Sequence, residues 1–227
     1  MQTLTQPVDF YCSWSGGKDA CLALYKMVQQ GHKPQGLLTI MNETGTLSRA
    51  HHLPKSLIEQ QALALGLNCV TQATTKPDYQ ARYQSALQDC KQQDIDYLVL
   101  GDIDLQAHRD WQMQQGKETG ITPLFPLWHQ EHKVLVKQFI EAGFKATIIA
   151  ILPDTVPSNF LGKPLNQETL AQLESLGIDV CAEGGEFHTI VTDGPLFTQP
   201  IVLDLATAKL CTTGDYGYHY LDFSQGV

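Results

Sequence analysis

The chain has 227 residues, 43% of them hydrophobic, enough to bury a sizeable core in one large domain or two small ones. Its 15 Lys and Arg stand against 24 Asp and Glu, and a formal net charge of -9 with no local basic patch argues against a direct nucleic-acid partner. The 6 cysteines lie far apart without a C-x-x-C pair or a secretory leader, as expected of reduced thiols in a cytoplasmic protein, and the longest apolar run, "FKATIIAIL", is too short to span a membrane.

In chain order, strand-like runs fall at "VDFYCSW", "GLLTIM", "NCVTQA", "DYLVLGD" and "KATIIAIL", most of them separated by stretches of helical periodicity. Cys21, Leu24, Tyr25 and Val28 mark one buried helix face ahead of Gly31, a candidate C-terminal cap. Leu57, Ile58, Ala62 and Leu65 repeat the device ahead of Gly66. Tyr79, Tyr83, Ala86, Leu87 and Cys90 mark a third helix. This alternation predicts an α/β fold, a doubly wound, mostly parallel sheet with helices on both faces, over residues 1–125. After "TPLFPLW" the pattern changes to a helix at "KVLVKQFIEAG", the strand "KATIIAIL", a short helix near Glu168 to Leu176, and a Gly-rich segment with short strands. Residues 126–227 are therefore expected to form a smaller α+β unit, with Pro123 and Pro126 marking the boundary.

Between the first strand and first helix stands Ser15-Gly16-Gly17-Lys18-Asp19. A strand-to-helix turn of this kind gathers free backbone N–H groups and the positive end of a helix dipole, and two glycines let a ligand approach the backbone closely. Lys18 at a helix N-terminus is unfavourable by about 0.3 to 1 kcal/mol unless an anion lies beside it. The loop is an anion cradle in outline, with a solvated turn as the plain alternative. It matches neither the Walker phosphate loop nor the G-x-G-x-x-G dinucleotide pattern.

A second cluster sits at Glu183, Gly184, Gly185, Glu186, His188 and Thr189. Two carboxylates, an imidazole and a hydroxyl around Gly-Gly can bind ammonium or a metal or move a proton; the plain alternative is an acidic turn entering an edge strand. In an extended segment Glu186 and His188 share a face that Phe187 does not. Gly101 and Asp102 follow a strand at the sheet edge where open α/β sheets bind ligands, though Asp102 is equally suited to capping the next helix. Asn42, Glu43 and Thr44 follow the second strand, at the same sheet edge as the loop, and either touch a ligand held there or form a polar turn. Ser48, His51 and His52 lie in the long 42–54 segment, a candidate lid. His51 and His52 are adjacent and expected to point apart, and His129 and His132 are expected at a solvated helix start rather than on a metal.

"SGGKDA" resembles the S-G-G-x-D-S signature of the PP-loop ATP pyrophosphatases. "LGDI", "PLW", "LGKPL" and above all "GIDVCAEGGEFHTIVTDGPLF" are similar to the diphthine-ammonia ligase family within that superfamily. The resemblance implies an adenine nucleotide alpha hydrolase-like fold. It also implies an ATP-dependent ligase that adenylates a carboxylate, releases pyrophosphate and forms an amide with ammonia. Ser15, Gly16, Gly17, Lys18 and Asp19 would bind ATP together with Asn42, Gly101 and Asp102, with Asp19 as a Mg²⁺ ligand. Lys18, Asp19, Glu183, Glu186 and His188 would carry the chemistry, with Ser48, His51, Gly184, Gly185 and Thr189 on the substrate. The acceptor would be diphthine, a modified histidine on elongation factor 2, or a small metabolite; a homodimer is one assembly left open. Lys18 is expected to be exposed. Ala20 stands where the signature has serine, which keeps open a non-catalytic ATP or AMP sensor.

Overall fold

The computed structural model describes residues 4–212 and 217–223. Five strands, β1 (Asp9–Ser13), β2 (Lys33–Met41), β3 (Asn68–Ala73), β4 (Tyr97–Val99) and β5 (Thr122–Leu124), pair in parallel in the order β3-β2-β1-β4-β5. The helices α1 (Lys18–Gln29), α2 (Lys55–Leu65), α3 (Tyr79–Lys91) and α4 (Gln106–Thr119) alternate with them. The chain leaves β1 toward β2 and β3 on one side and returns to β4 and β5 on the other. The order therefore reverses between β1 and β4, and the crevice outside their carboxyl ends is the natural ligand site of such a sheet.

Four more strands follow β5, interleaved with α5 (His132–Glu141) and α6 (Gln167–Ser175): β6 (Lys145–Ile151), β7 (Phe187–Asp193), β8 (Lys209–Cys211) and β9 (His219–Asp222). They form an antiparallel sheet in the order β7-β6-β9-β8. Asn166 starts α6 by accepting the Thr169 N–H at 2.9 Å, an ordinary side-chain cap.

One apolar cluster runs without a break from Phe10, Cys12 and Leu37 of the first sheet through Leu24 and Met27 of α1 to Ile148, Phe187 and Val191 of the second. α1 lies between the two sheets, which explains a departure from its periodicity. Ala20, Leu22 and Ala23 are buried as well as Cys21 and Leu24, whereas Tyr25 and Val28, expected on the buried face, are only half-buried. The opposite face of the parallel sheet is covered by α3, with Tyr83, Ala86, Leu87 and Cys90 packed on Tyr11, Leu38 and Leu98.

α4 and β5 extend the sheet beyond the strands and helices marked by hydrophobic pattern. Gln115 and Gly116 are the buried positions of α4, so it carries no apolar stripe, and β5 has three residues, one of them Pro123. Among the described residues no helix is long and apolar enough to cross a membrane, and all six cysteines are free thiols.

Candidate active site

The loop between β1 and α1 is fixed from three directions. Gly16 takes a positive φ of 83°, a conformation glycine adopts without strain. Its carbonyl accepts the Val191 N–H of β7 at 2.9 Å and the Gln61 side-chain amide of α2 at 2.9 Å. Gln61, fully buried, also donates to the Val191 carbonyl at 2.7 Å and accepts the Trp14 indole N–H at 2.9 Å, so one side chain ties the loop, α2 and β7 together. Gly101 needs its missing side chain for another reason: a Cβ there would lie 2.8 Å from the Ala20 nitrogen, so α1 starts directly against the end of β4.

α1 has no cap of its own, because Gly17 holds that position. The Thr189 Oγ1 of β7 supplies one by accepting the Lys18 N–H at 3.1 Å. The Lys18 ammonium does not reach outward. It is 5% exposed, donates to the Cys181 carbonyl, and pairs with Asp19 Oδ2 at 2.9 Å. Burial alone would lower its pKa; the opposing pull of Asp19, then Cys181 and Glu183, leaves it raised. Loss of hydration raises the Asp19 carboxyl despite that partner. The exposed Lys18 expected from sequence is thus corrected: the second sheet covers it.

The Gly-Gly turn before β7 is held by Asp179, whose carboxylate accepts the Cys181 N–H at 3.1 Å and the Glu183 N–H at 3.0 Å. His132 at the start of α5 bonds Asp179 at 2.7 Å and Asp104 at 3.1 Å, so it buttresses this turn rather than pointing into solvent. Burial lowers the His132 pKa, but the flanking carboxylates more than offset that and raise it. Ala182 and Gly185 adopt positive φ of 56° and 78°, which turns the chain back into β7.

These elements enclose a solvent-open cleft of about 820 Å³ at the switch point of the parallel sheet. Ser15, Asp19, Gly101, Asp102, Ser48, His51, Glu183, Gly185 and His188 line it, and so does Ala20. Glu183 is pushed up to about 7, first by burial and then by the negative charge of Asp19, outweighing Lys18, with Asp104 and Asp102 adding to it. His51 is pushed down to about 4 by burial, against a stabilising bond to the Thr189 carbonyl, and His188 is lowered by burial and by His51. Both imidazoles are therefore neutral at pH 7.

Other expected residues sit elsewhere. Asn42 turns its Oδ1 onto the N–H groups of Thr46 and Leu47, at 3.0 and 3.2 Å, so it shapes its own loop and does not line the cleft. Glu186 is also off the wall: it packs back toward Gly184, with Oε2 buried and unpartnered. Gly184 is exposed outside the cleft and Thr189 is spent on the α1 cap. The 42–54 segment is pinned rather than free as a lid: Ser48 pairs with Met41, Arg49 N–H donates to the Ile40 carbonyl, and Ser48 Oγ accepts the Leu53 N–H. His51 and His52 do part, His51 onto His188 and His52 onto Tyr220.

Arg49, Lys76 and His108 line the cleft without having been singled out, and Tyr79, expected only as a helix position, lines it too. Arg49 donates to the Thr74 carbonyl at 3.0 Å and lies over the Tyr79 ring. The missed Gln61 did leave a trace, since it is the one polar residue in the apolar spacing 57, 58, 61, 62, 65. As a host for Mg²⁺ the cleft offers hard carboxylate oxygens on Asp19, Asp102 and Glu183, whose mutual repulsion a cation would relieve. Among the described residues no group of three or more His, Cys, Asp or Glu is placed to hold a metal ion by itself.

A phosphate-type loop at the switch point of a parallel sheet, capped by a strand from a second sheet, defines a nucleotide-binding α/β protein. The chain belongs to the diphthamide synthase family: residues 10–123 match its N-terminal domain and residues 131–223 its C-terminal domain. It is 27% identical to the diphthine–ammonia ligase of Bos taurus, over 84% of this chain and 80% of that one. Against the diphthine–ammonia ligase of Homo sapiens the identity is 26%, with the same coverage. Among solved structures, a predicted subunit of tRNA methyltransferase from Methanocaldococcus jannaschii aligns with a TM-score of 0.46 and 18% identity. The alignment covers 86% of this chain and 100% of that one.

Proposed function

We propose that the chain is an ATP-dependent ligase that adenylates a carboxylate, releases pyrophosphate, and converts the acyl adenylate to an amide with ammonia. The observation that carries this reading is the single cleft into which both the Ser15–Asp19 loop and the Glu183–His188 segment open. Ser15 and Asp19, which line the cleft, take the ATP phosphates at the first turn of α1, where the Ala20 N–H has no partner within the helix, while Gly16 and Gly17 are buried beneath Leu53, Gln61 and His51 and give the loop its close packing. Asp19, with Asp102 and Glu183 beside it, holds Mg²⁺, which neutralises phosphate charge when bound. The cleft's opening to solvent favours an acceptor carried on a protein, and the diphthine named in the relatives is the acceptor we assign.

The test is pyrophosphate exchange into ATP, dependent on elongation factor 2 bearing diphthine, followed by AMP release and amide formation on adding ammonium chloride. Exchange with a small carboxylate and not with the protein would move the acceptor class. The second reading is a nucleotide sensor without turnover, favoured by Ala20, which borders the cleft where the signature has serine. ATP binding without acceptor-dependent exchange would select it.

A further inference from the structure

Two imidazoles form one wall of the cleft. The rings of His51 and His188 stack with centroids 4.5 Å apart and planes 25° from parallel. His51 arrives from the 42–54 loop and lies directly against the phosphate loop, since a Cβ on Gly17 would collide with its ring. His188 arrives from β7, and its other neighbour is the Tyr218 ring at 4.7 Å, whose hydroxyl is spent on the Gly185 carbonyl at 2.6 Å.

The hydrogen bonding fixes what this wall presents. A carbonyl oxygen can only accept, so the 2.9 Å contact between His51 Nδ1 and the Thr189 carbonyl puts the proton on Nδ1. A neutral ring protonated there carries a lone pair on Nε2, and neutral His188 likewise carries one acceptor nitrogen. The charged groups acting on the pair are the Lys18 ammonium from α1 and, when protonated, His52 from the adjoining loop. Both disfavour a second cation. A surface with acceptor lone pairs and a bias against positive charge suits a small neutral donor, and it repels the lone pairs of a carboxylate.

We propose that the stacked His51–His188 pair holds the nitrogen nucleophile, as neutral ammonia, beside the phosphate loop at Gly17; this rests on the ligase reading. Ammonium loses one proton to water in the cleft on binding. Two N–H groups of ammonia are donated to the imidazoles, and its lone pair is left to form the C–N bond at the acyl adenylate carbonyl. The C–O bond to phosphate then breaks, AMP leaves with the electron pair, and a second proton passes from nitrogen to water in the cleft. Ammonium and acyl adenylate thus give amide, AMP and two protons.

The test uses the whole protein with ATP, Mg²⁺ and diphthine-bearing elongation factor 2, titrated with ammonium chloride at fixed pH. His188→Phe keeps a stacked ring and removes the acceptor nitrogen; His188→Asn gives up the ring and restores an acceptor. The expected result is a tenfold or greater rise in KM for ammonium in His188→Phe, with KM for ATP and acceptor-dependent pyrophosphate exchange unchanged, and partial recovery in His188→Asn. An unchanged KM for ammonium overturns the proposal. So does a parallel loss of exchange, which would assign the pair to the nucleotide. Failure of the wild-type protein to form amide or support exchange would instead sink the ligase reading, and the ammonia site would fall with it.

Discussion

Thr189 of β7 caps a helix that begins 171 residues earlier in the chain, its hydroxyl accepting the Lys18 N–H at 3.1 Å. The same residue's carbonyl accepts from His51 at 2.9 Å, and the neighbouring Val191 N–H reaches Gly16 at 2.9 Å. The phosphate loop is therefore shaped by the second sheet as much as by its own glycines. Neither part can form the cleft alone.

Replacing that hydroxyl isolates the effect. Thr189→Val keeps the shape and buries an unpaired Lys18 N–H, so stability should fall by about 1 to 2 kcal/mol, as for loss of a helix cap. For a chain of this size that lowers Tm by roughly 2 to 8 °C. ATP affinity should fall as well, and Thr189→Ser should recover most of both. Calorimetric unfolding and ATP titration of the two variants provide the check; a serine variant as impaired as the valine would shift the credit to methyl packing.

Lys18→Ala tests the correction at the loop. An exposed lysine would leave the fold untouched, but this one is 5% exposed and bridges Asp19 to the Cys181 carbonyl. Removing it leaves a half-buried carboxylate without its partner and a carbonyl unpaired, a loss of about 1 to 3 kcal/mol. Urea unfolding should show that loss in the absence of nucleotide. Full stability with weakened ATP binding would restore the picture of an outward phosphate ligand.

The loop, the Gly-Glu turn and the parallel sheet were legible because each has a local signature: glycines at a strand end or ahead of a strand, and apolar spacing. What stayed hidden depends on tertiary contact. α4 is polar nearly all round, since α3 and β5 hold it through Gln115 and Gly116. Arg49 looks like a loop cation until Tyr79 and Thr74 fold beneath it. His132 reads as solvated until Asp104 and Asp179, 28 and 47 residues away, close on it. Asn42 and Glu186 were misplaced because a sequence shows which side chains can reach a ligand, and not which are already engaged nearby.

The raised Glu183 carboxyl gives stability a defined pH dependence. In the unfolded chain it titrates near 4.5 and in the folded protein near 7. Between those values the folded state holds a proton that the unfolded chain has released, so stability falls as pH rises through the window and levels off above it. Glu183→Gln removes this contribution. Its Tm should exceed that of the wild type at pH 8 and approach it at pH 4.5. Equal offsets at both pH values would mean that packing, not charge, separates the two proteins.

Ala20 bears most directly on turnover. It borders the cleft at the first turn of α1 while being almost fully buried, and its nitrogen lies where a Cβ on Gly101 would clash. The start of α1 lies against the end of β4, so a serine there would add its hydroxyl at the border of the cleft. One added hydrogen bond to a phosphate or its metal contributes about 1 kcal/mol, or about fivefold in binding or rate. Ala20→Ser should therefore raise acceptor-dependent pyrophosphate exchange several-fold, with Tm nearly unchanged. If exchange is absent in the wild type and appears in Ala20→Ser, the natural chain is a sensor built on a ligase site. If both exchange at equal rates, the hydroxyl is dispensable and Ala20 is no obstacle to catalysis.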